Sequence, residues 1–174
     1  MTAIYLRTAT EKDLPVILSL IEQARVILSE KNIPQWQNGD GPSQTILQKD
    51  IQKKQCYVLI AVDKIVGIGT ISNEPEAAYE QLEAGEWLDC ASPYVAIHRV
   101  AIYPRYHGKG YAQLLLRYLV TTSRLMNYFD IRIDTHPKNK AMQHLITKTG
   151  FEYRGNIQLP VSNGERFAYQ LLLS

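Results

Sequence analysis

With 174 residues, 45% of them hydrophobic, the chain is large enough to bury one substantial core without metal or disulfide help, so one domain over residues 1–174 is expected. Lys and Arg number 19 against 17 Asp and Glu, and a net charge of +2 argues against a dedicated nucleic-acid binder, whose affinity comes from clustered phosphate neutralisation. Cys56 and Cys90 form no CxxC pair, and no signal peptide or bilayer-length apolar run is evident, so a reducing cytoplasm is the expected address and both thiols read as small buried hydrophobes.

In chain order, a short strand at residues 4–8 precedes Thr10-x-x-Asp13, which has the form of a capping box. Leu14, Ile17, Leu18, Ile21 and Leu28 then fall at helical spacing, which predicts a helix ending near Lys31. Residues 32–42 are rich in Gly, Pro, Asn and Asp and read as a loop bearing Trp36, before a more polar helix over 43–53. Residues 56–62 and 65–71 flank Asp63-Lys64 as a hairpin, and their near-continuous apolar character implies burial on both faces. Between Asn73 and Tyr94 the chain carries Glu74, Glu76, Glu80, Glu83, Glu86 and Asp89 with no Lys or Arg, together with Tyr79 and Trp87. Such a run is either a solvated surface or a recognition face, and composition leaves both open.

A strand is predicted over 94–103. Alternation along it places Ala96, His98, Val100 and Ile102 on one face and Ile97, Arg99 and Ala101 on the other. It runs into a Gly-Lys-Gly turn and a helix over 112–127. A strand from 131, a helix closed by Gly150, and strands near 151–157 and 166–173 complete a mixed α/β sheet with helices on both faces. The turn has the form of an anion cradle: Gly108 and Gly110 allow the backbone to approach a ligand, and the amides and dipole opening the next helix favour a phosphate or pyrophosphate. It lacks both the third glycine of a dinucleotide fingerprint and the Gly-Lys-Ser/Thr ending of a P-loop.

Two stretches carry a family resemblance. Val100-Ala-Ile-Tyr-Pro-Arg-Tyr-His-Gly-Lys-Gly-Tyr-Ala112 resembles the strand and Gln/Arg-x-x-Gly-x-Gly/Ala signature of the GCN5-related N-acetyltransferase (GNAT) family, with His107 where Gln or Arg is usual. Ile131-Arg-Ile-Asp-Thr-His-Pro-Lys-Asn-Lys-Ala-Met, ending in Gly150-Phe151, resembles the family's next strand and helix in both order and spacing. The resemblance implies the acyl-CoA N-acyltransferase fold: a mixed, mostly antiparallel central sheet with splayed central strands.

It also implies acetyl-CoA as co-substrate, its pyrophosphate on the turn and its pantetheine arm along the preceding strand. The implied binding residues are Val100, Ala101, Ile102, His107, Gly108, Lys109, Gly110, Tyr111, Ala112 and Asn139. The family's common catalytic Glu is matched by Ala96, whereas His98 matches a histidine of the aralkylamine acetyltransferases, so His98 is the candidate base. A histidine that only hydrogen-bonds a neighbour is the competing reading. The usual tyrosine acid is replaced by Ile146, leaving Tyr111, Tyr128, His136 and His144 as stand-ins. The acidic run points to a small cationic amine as acceptor, with Trp36, Trp87 and Tyr94 lining its pocket; neither metal, nucleic acid nor membrane enters this reading, and two copies could pair through apolar strands near the C-terminus. Loss of the Glu and Tyr equivalents fits a rival reading, a non-catalytic acyl-CoA sensor on the same fold.

Overall fold

The computed structural model describes residues 2–80, 82–89 and 91–174; Cys90 lies outside them. Strand β1 (Tyr5–Thr8) leads into the predicted capping box, in which the Thr10 backbone N–H donates to Asp13 at 2.8 Å, followed by helix α1 (Leu14–Glu30) with proline in its first turn. Helix α2 (Gln44–Gln52) is capped by the Ser43 hydroxyl, which accepts from the Ile46 N–H. The hairpin of β2 (Cys56–Ala61) and β3 (Lys64–Ser72) turns through Val62 and Asp63, both left-handed, as a two-residue turn between twisted strands demands. A two-residue strand, β4 (Ala84–Gly85), is followed by β5 (Tyr94–Ile102), α3 (Tyr111–Leu125), β6 (Asp130–Thr135), α4 (Lys140–Thr149), β7 (Glu152–Gln158) and β8 (Glu165–Leu172).

These strands form one eight-stranded sheet in the order β1-β2-β3-β5-β6-β8-β7-β4. Every neighbouring pair is antiparallel except β5 with β6. On one face Leu115, Leu116, Leu119 and Ile146 from α3 and α4 pack on Val95, Ile97, Ile102, Ile131 and Ile133. On the other, Ile17, Leu20, Leu47 and Ile51 from α1 and α2 pack on Val58, Ile60, Ile68 and Ala101. Every residue of β2 is buried, as expected of a strand covered on both faces. Among the described residues no helix is long and apolar enough to cross a membrane.

Two irregularities in β5 shape the site. Its pairing with β6 ends at Ile97 with Ile133, although β5 continues to Ile102. Beyond Ile97 the two strands splay, and that edge of β5 has no strand partner among the described residues. The second irregularity is a bulge: Ile68 pairs with Ala101 and Thr70 with His98, so Gly69 alone opposes Arg99 and Val100, and Arg99 takes a left-handed φ of 55°. The extra residue shifts the alternation. Val100 and Ile102 therefore join Ile97 on the α3 face, whereas the unbroken alternation predicted above would have kept them with His98.

Candidate active site

After β5 a 3-10 turn (Pro104–Tyr106) delivers the chain to the Gly-Lys-Gly turn. Gly108 and Gly110 are left-handed, at φ of 74° and 79°, and a side chain built at either meets no atom within 4 Å. Gly110 opens α3 with no side-chain cap and no acidic residue in the first turn. The Leu114 N–H bonds back to the Gly110 carbonyl, so the amides preceding it in this turn have no intrahelical acceptor. They border a cleft of about 860 Å³ that runs from here along the open edge of β5 to Trp36 and Asp50.

Val100, Ala101, Ile102, His107, Gly108, Gly110, Tyr111, Ala112 and Asn139 all line this cleft. Lys109 is not among its lining residues; its ammonium sits 5.5 Å from the centre of the Tyr106 ring. The His107 ring Nε2 lies 3.1 Å from the Ile102 carbonyl, which ties the turn back to the strand and engages an acceptor of that strand's main chain. Asn139 combines two tasks. Its oxygen caps α4 by accepting from the Met142 N–H, while its amide donates to Gln35 and so holds the 32–42 loop over the cleft.

At the far end, on the side of the sheet reached by α2, lies a charged cluster. His98 Nε2 is 2.5 Å from Glu76 Oε1, and Nδ1 is 3.9 Å from Asp134 Oδ2. Asp134 accepts from the buried Tyr79 hydroxyl at 2.6 Å and faces Arg166 Nε at 3.6 Å. Arg99, turned by the bulge, pairs with Asp50 at 3.3 Å, and Asp50 also accepts from the Thr70 hydroxyl. Burial by itself pulls the His98 pKa down, but the Glu76 hydrogen bond and the charges of Glu76 and Asp134 outweigh it, leaving the imidazole more basic than usual. Burial and the neighbouring Asp134 and Glu76 charges push the Tyr79 phenol well above its ordinary range, so it stays a donor.

Trp36 lines the cleft, but Trp87 and Tyr94 do not. Their rings lie 4.2 and 4.0 Å from the Arg132 guanidinium, which is itself paired with the fully buried Asp130, and they border a separate cavity of about 220 Å³. Of the acidic run only Glu74 and Glu76 reach the cleft, while Glu80, Glu83, Glu86 and Asp89 are exposed at the surface. Ile146 is fully buried in the α3 face core. Tyr111 and His144 line the cleft. Tyr128 accepts from Asn73, and His136 is buried with its pKa lowered by burial and by Arg166. Glu76, Asp134, Arg166 and Asp50 come to the site from four separated segments. Only Glu76 had a sequence signal, its place in the acidic run.

Residues 22–151 match the model of the acetyltransferase (GNAT) family. No curated protein matches the chain by sequence. Among solved structures, an acetyltransferase of the GNAT family from Streptococcus agalactiae 2603 is 31% identical, over 98% of this chain and 96% of that one, with a TM-score of 0.90. Two others share the fold at lower identity. The ribosomal-protein-S18-alanine N-acetyltransferase of Escherichia coli is 15% identical over 99% of this chain and 95% of its own, with a TM-score of 0.69. The aminoglycoside acetyltransferase AAC(6')-Ib in complex with coenzyme A is 20% identical over 98% and 95%, also at 0.69.

Proposed function

We propose, for a chain that belongs to the acetyltransferase (GNAT) family, that it moves an acetyl group from acetyl-CoA to the primary amine of a small cationic acceptor by direct attack in a ternary complex. The observation carrying this is a single cleft that joins the unpartnered amides at the start of α3, the open edge of β5 and the His98 cluster. The residues present fit the co-substrate. Left-handed glycines with open space beside them, uncapped helix amides and a first turn without carboxylates suit a diphosphate. The β5 main chain beyond Ile97 suits an extended amide-bearing arm. When bound, acetyl-CoA supplies the thioester; a relative on this fold is complexed with coenzyme A.

In this reading His98 takes a proton from the amine; its raised basicity strengthens its hold on that proton, and it serves as base at pH above its own raised titration point. A main-chain N–H near Val100 or Ala101 would stabilise negative charge developing on the carbonyl oxygen. The buried Ile146 supplies no acid. A thiolate whose thiol has an ordinary pKa near 8.5 leaves tolerably without one. Asp40, Asp50, Glu74, Glu76 and Asp134 line the acceptor end against Lys31, Arg99 and Arg166, and this excess of carboxylates supports a cationic acceptor. Trp36 supplies the one aromatic wall of the three predicted. The test is thiol release from acetyl-CoA with polyamines, aralkylamines and amino acids in turn. Release that depends on a cationic amine supports the reading; release only with anionic acceptors, or none with any amine, overturns it.

A further inference from the structure

Both ring nitrogens of His98 face carboxylates, at unequal distances. We infer that Glu76 fixes His98 through Nε2, and that the acceptor's nitrogen seats between the bare Nδ1 and Asp134, which makes Glu76 a positioning residue and Asp134 an ammonium-docking residue; this deepens the transferase reading and rests on it.

At 2.5 Å from Nε2, Glu76 Oε1 is within hydrogen-bond reach. A carboxylate only accepts, so Nε2 carries the hydrogen and the neutral ring leaves its lone pair on Nδ1. Glu76 thus acts on His98 as the acidic member of a catalytic triad acts on its histidine: it selects the tautomer and stabilises the imidazolium that forms. Nδ1 stands 3.9 Å from Asp134 Oδ2, too far for a direct hydrogen bond. A nitrogen about 2.8 Å from each atom, an ordinary hydrogen-bond length, completes a triangle on that base. Asp134 cannot readily swing to close the gap. The Tyr79 hydroxyl holds one of its oxygens at 2.6 Å, Arg166 faces the other, and its side chain is 8% exposed. His98, Glu76 and Asp134 all line the same cleft.

The proton balance follows from that placement. An ammonium seated in the gap is held by the Asp134 carboxylate and gives one proton to Nδ1. The freed lone pair forms the new C–N bond as the C–S bond breaks, and the second N–H proton passes to the departing thiolate. His98 then returns its proton to solvent. The titratable and charged groups that face it are Glu76 from the segment after β3, Asp134 from β6, Tyr79 from a second 3-10 turn at Ala77–Tyr79, Asp50 from α2 and its own neighbour Arg99.

The test combines nitrogen NMR of the full 15N-labelled chain with kinetics on the preferred amine. His98 ring signals are assigned by their loss in His98→Asn. The expected neutral form is protonated at Nε2 and bare at Nδ1, with a titration midpoint above the ordinary histidine value that falls in Glu76→Gln. Asp134→Asn should raise the amine KM about tenfold or more, as loss of a desolvated charge partner does, with the acetyl-CoA KM within about twofold. Tyr79→Phe keeps the carboxylate and loosens it, so a smaller rise in amine KM is expected even where Asp134→Asn fails to fold. Glu76→Gln should lower kcat and move the pH midpoint of kcat/KM downward. A neutral ring protonated at Nδ1, or an amine KM unmoved in both Asp134→Asn and Tyr79→Phe, overturns the assignment. Should the wild-type chain acetylate no amine, the transferase reading falls; the NMR tautomer still decides the part given to Glu76.

Discussion

Replacing Gly110 by alanine separates the fold's need for this glycine from the ligand's. At φ 79° a side chain incurs roughly 1–2 kcal/mol of left-handed strain. Part of this, about 0.4–1 kcal/mol, is returned because alanine restricts the unfolded chain. No atom lies within 4 Å of the added methyl, so steric cost is absent. The net loss of about 1 kcal/mol should lower Tm by roughly 2–4 °C in a chain of this size. The methyl would stand where a diphosphate must approach the amides of α3. Losing one charge-assisted hydrogen bond there, about 1.5–3 kcal/mol, weakens acetyl-CoA roughly 10- to 150-fold. Thermal unfolding reads the first effect and titration calorimetry the second. Gly39→Ala is the control, since Gly39 has φ 83° and equal open space but does not line the cleft. It should match the Tm loss and spare the affinity. If Gly110→Ala also left the acetyl-CoA affinity within about twofold, the placement of the diphosphate on this turn would be refuted.

Arg132→Ala leaves the fully buried Asp130 without its cation, and about 3–5 kcal/mol should be lost in denaturant unfolding; a loss under about 1 kcal/mol would contradict the pairing. Asp13, held by Arg7, has its pKa lowered to about 2, so its contribution is complete above the unfolded value of 3.8 and is lost as pH falls through about 2. Asp13→Asn should therefore destabilise the chain by about 1 kcal/mol at neutral pH, a partly solvated pair being worth little more. Stability curves of the two chains should converge between 3.8 and about 2, and a constant gap would count against the pair. Cys56 is fully buried and its thiol is pushed up to about 12, chiefly by burial, so it should resist thiol reagents in the native chain and react on unfolding.

What the sequence disclosed were the features written in local patterns. The capping box at Thr10, the largely apolar hairpin and the Gly-Lys-Gly turn each follow from a few adjacent residues; the first and last stand where the pattern puts them, and the hairpin turns one residue earlier, at Val62-Asp63 rather than Asp63-Lys64. The β5 bulge left no such trace. An arginine at positive φ has no compositional mark, so unbroken alternation grouped Val100 and Ile102 with His98. The acidic neighbours of Trp87 and Tyr94 point to the acceptor, yet their rings enclose Arg132. That arginine, flanked by Ile131 and Ile133 with Asp130 two residues away, is the available clue, since an interior guanidinium must find a carboxylate and often an aromatic face. Asp134 and Arg166 meet only because β6 and β8 are sheet neighbours, and pairing between distant strands is invisible before the topology is known.

The most direct test of the account is where acetyl-CoA touches the chain, read from backbone amide shifts of the labelled protein as the ligand is added. The largest changes are expected at residues 108–113 and 100–102, with the amides of β1 and β7 nearly still. Shifts centred elsewhere, or none at saturating ligand, would contradict it.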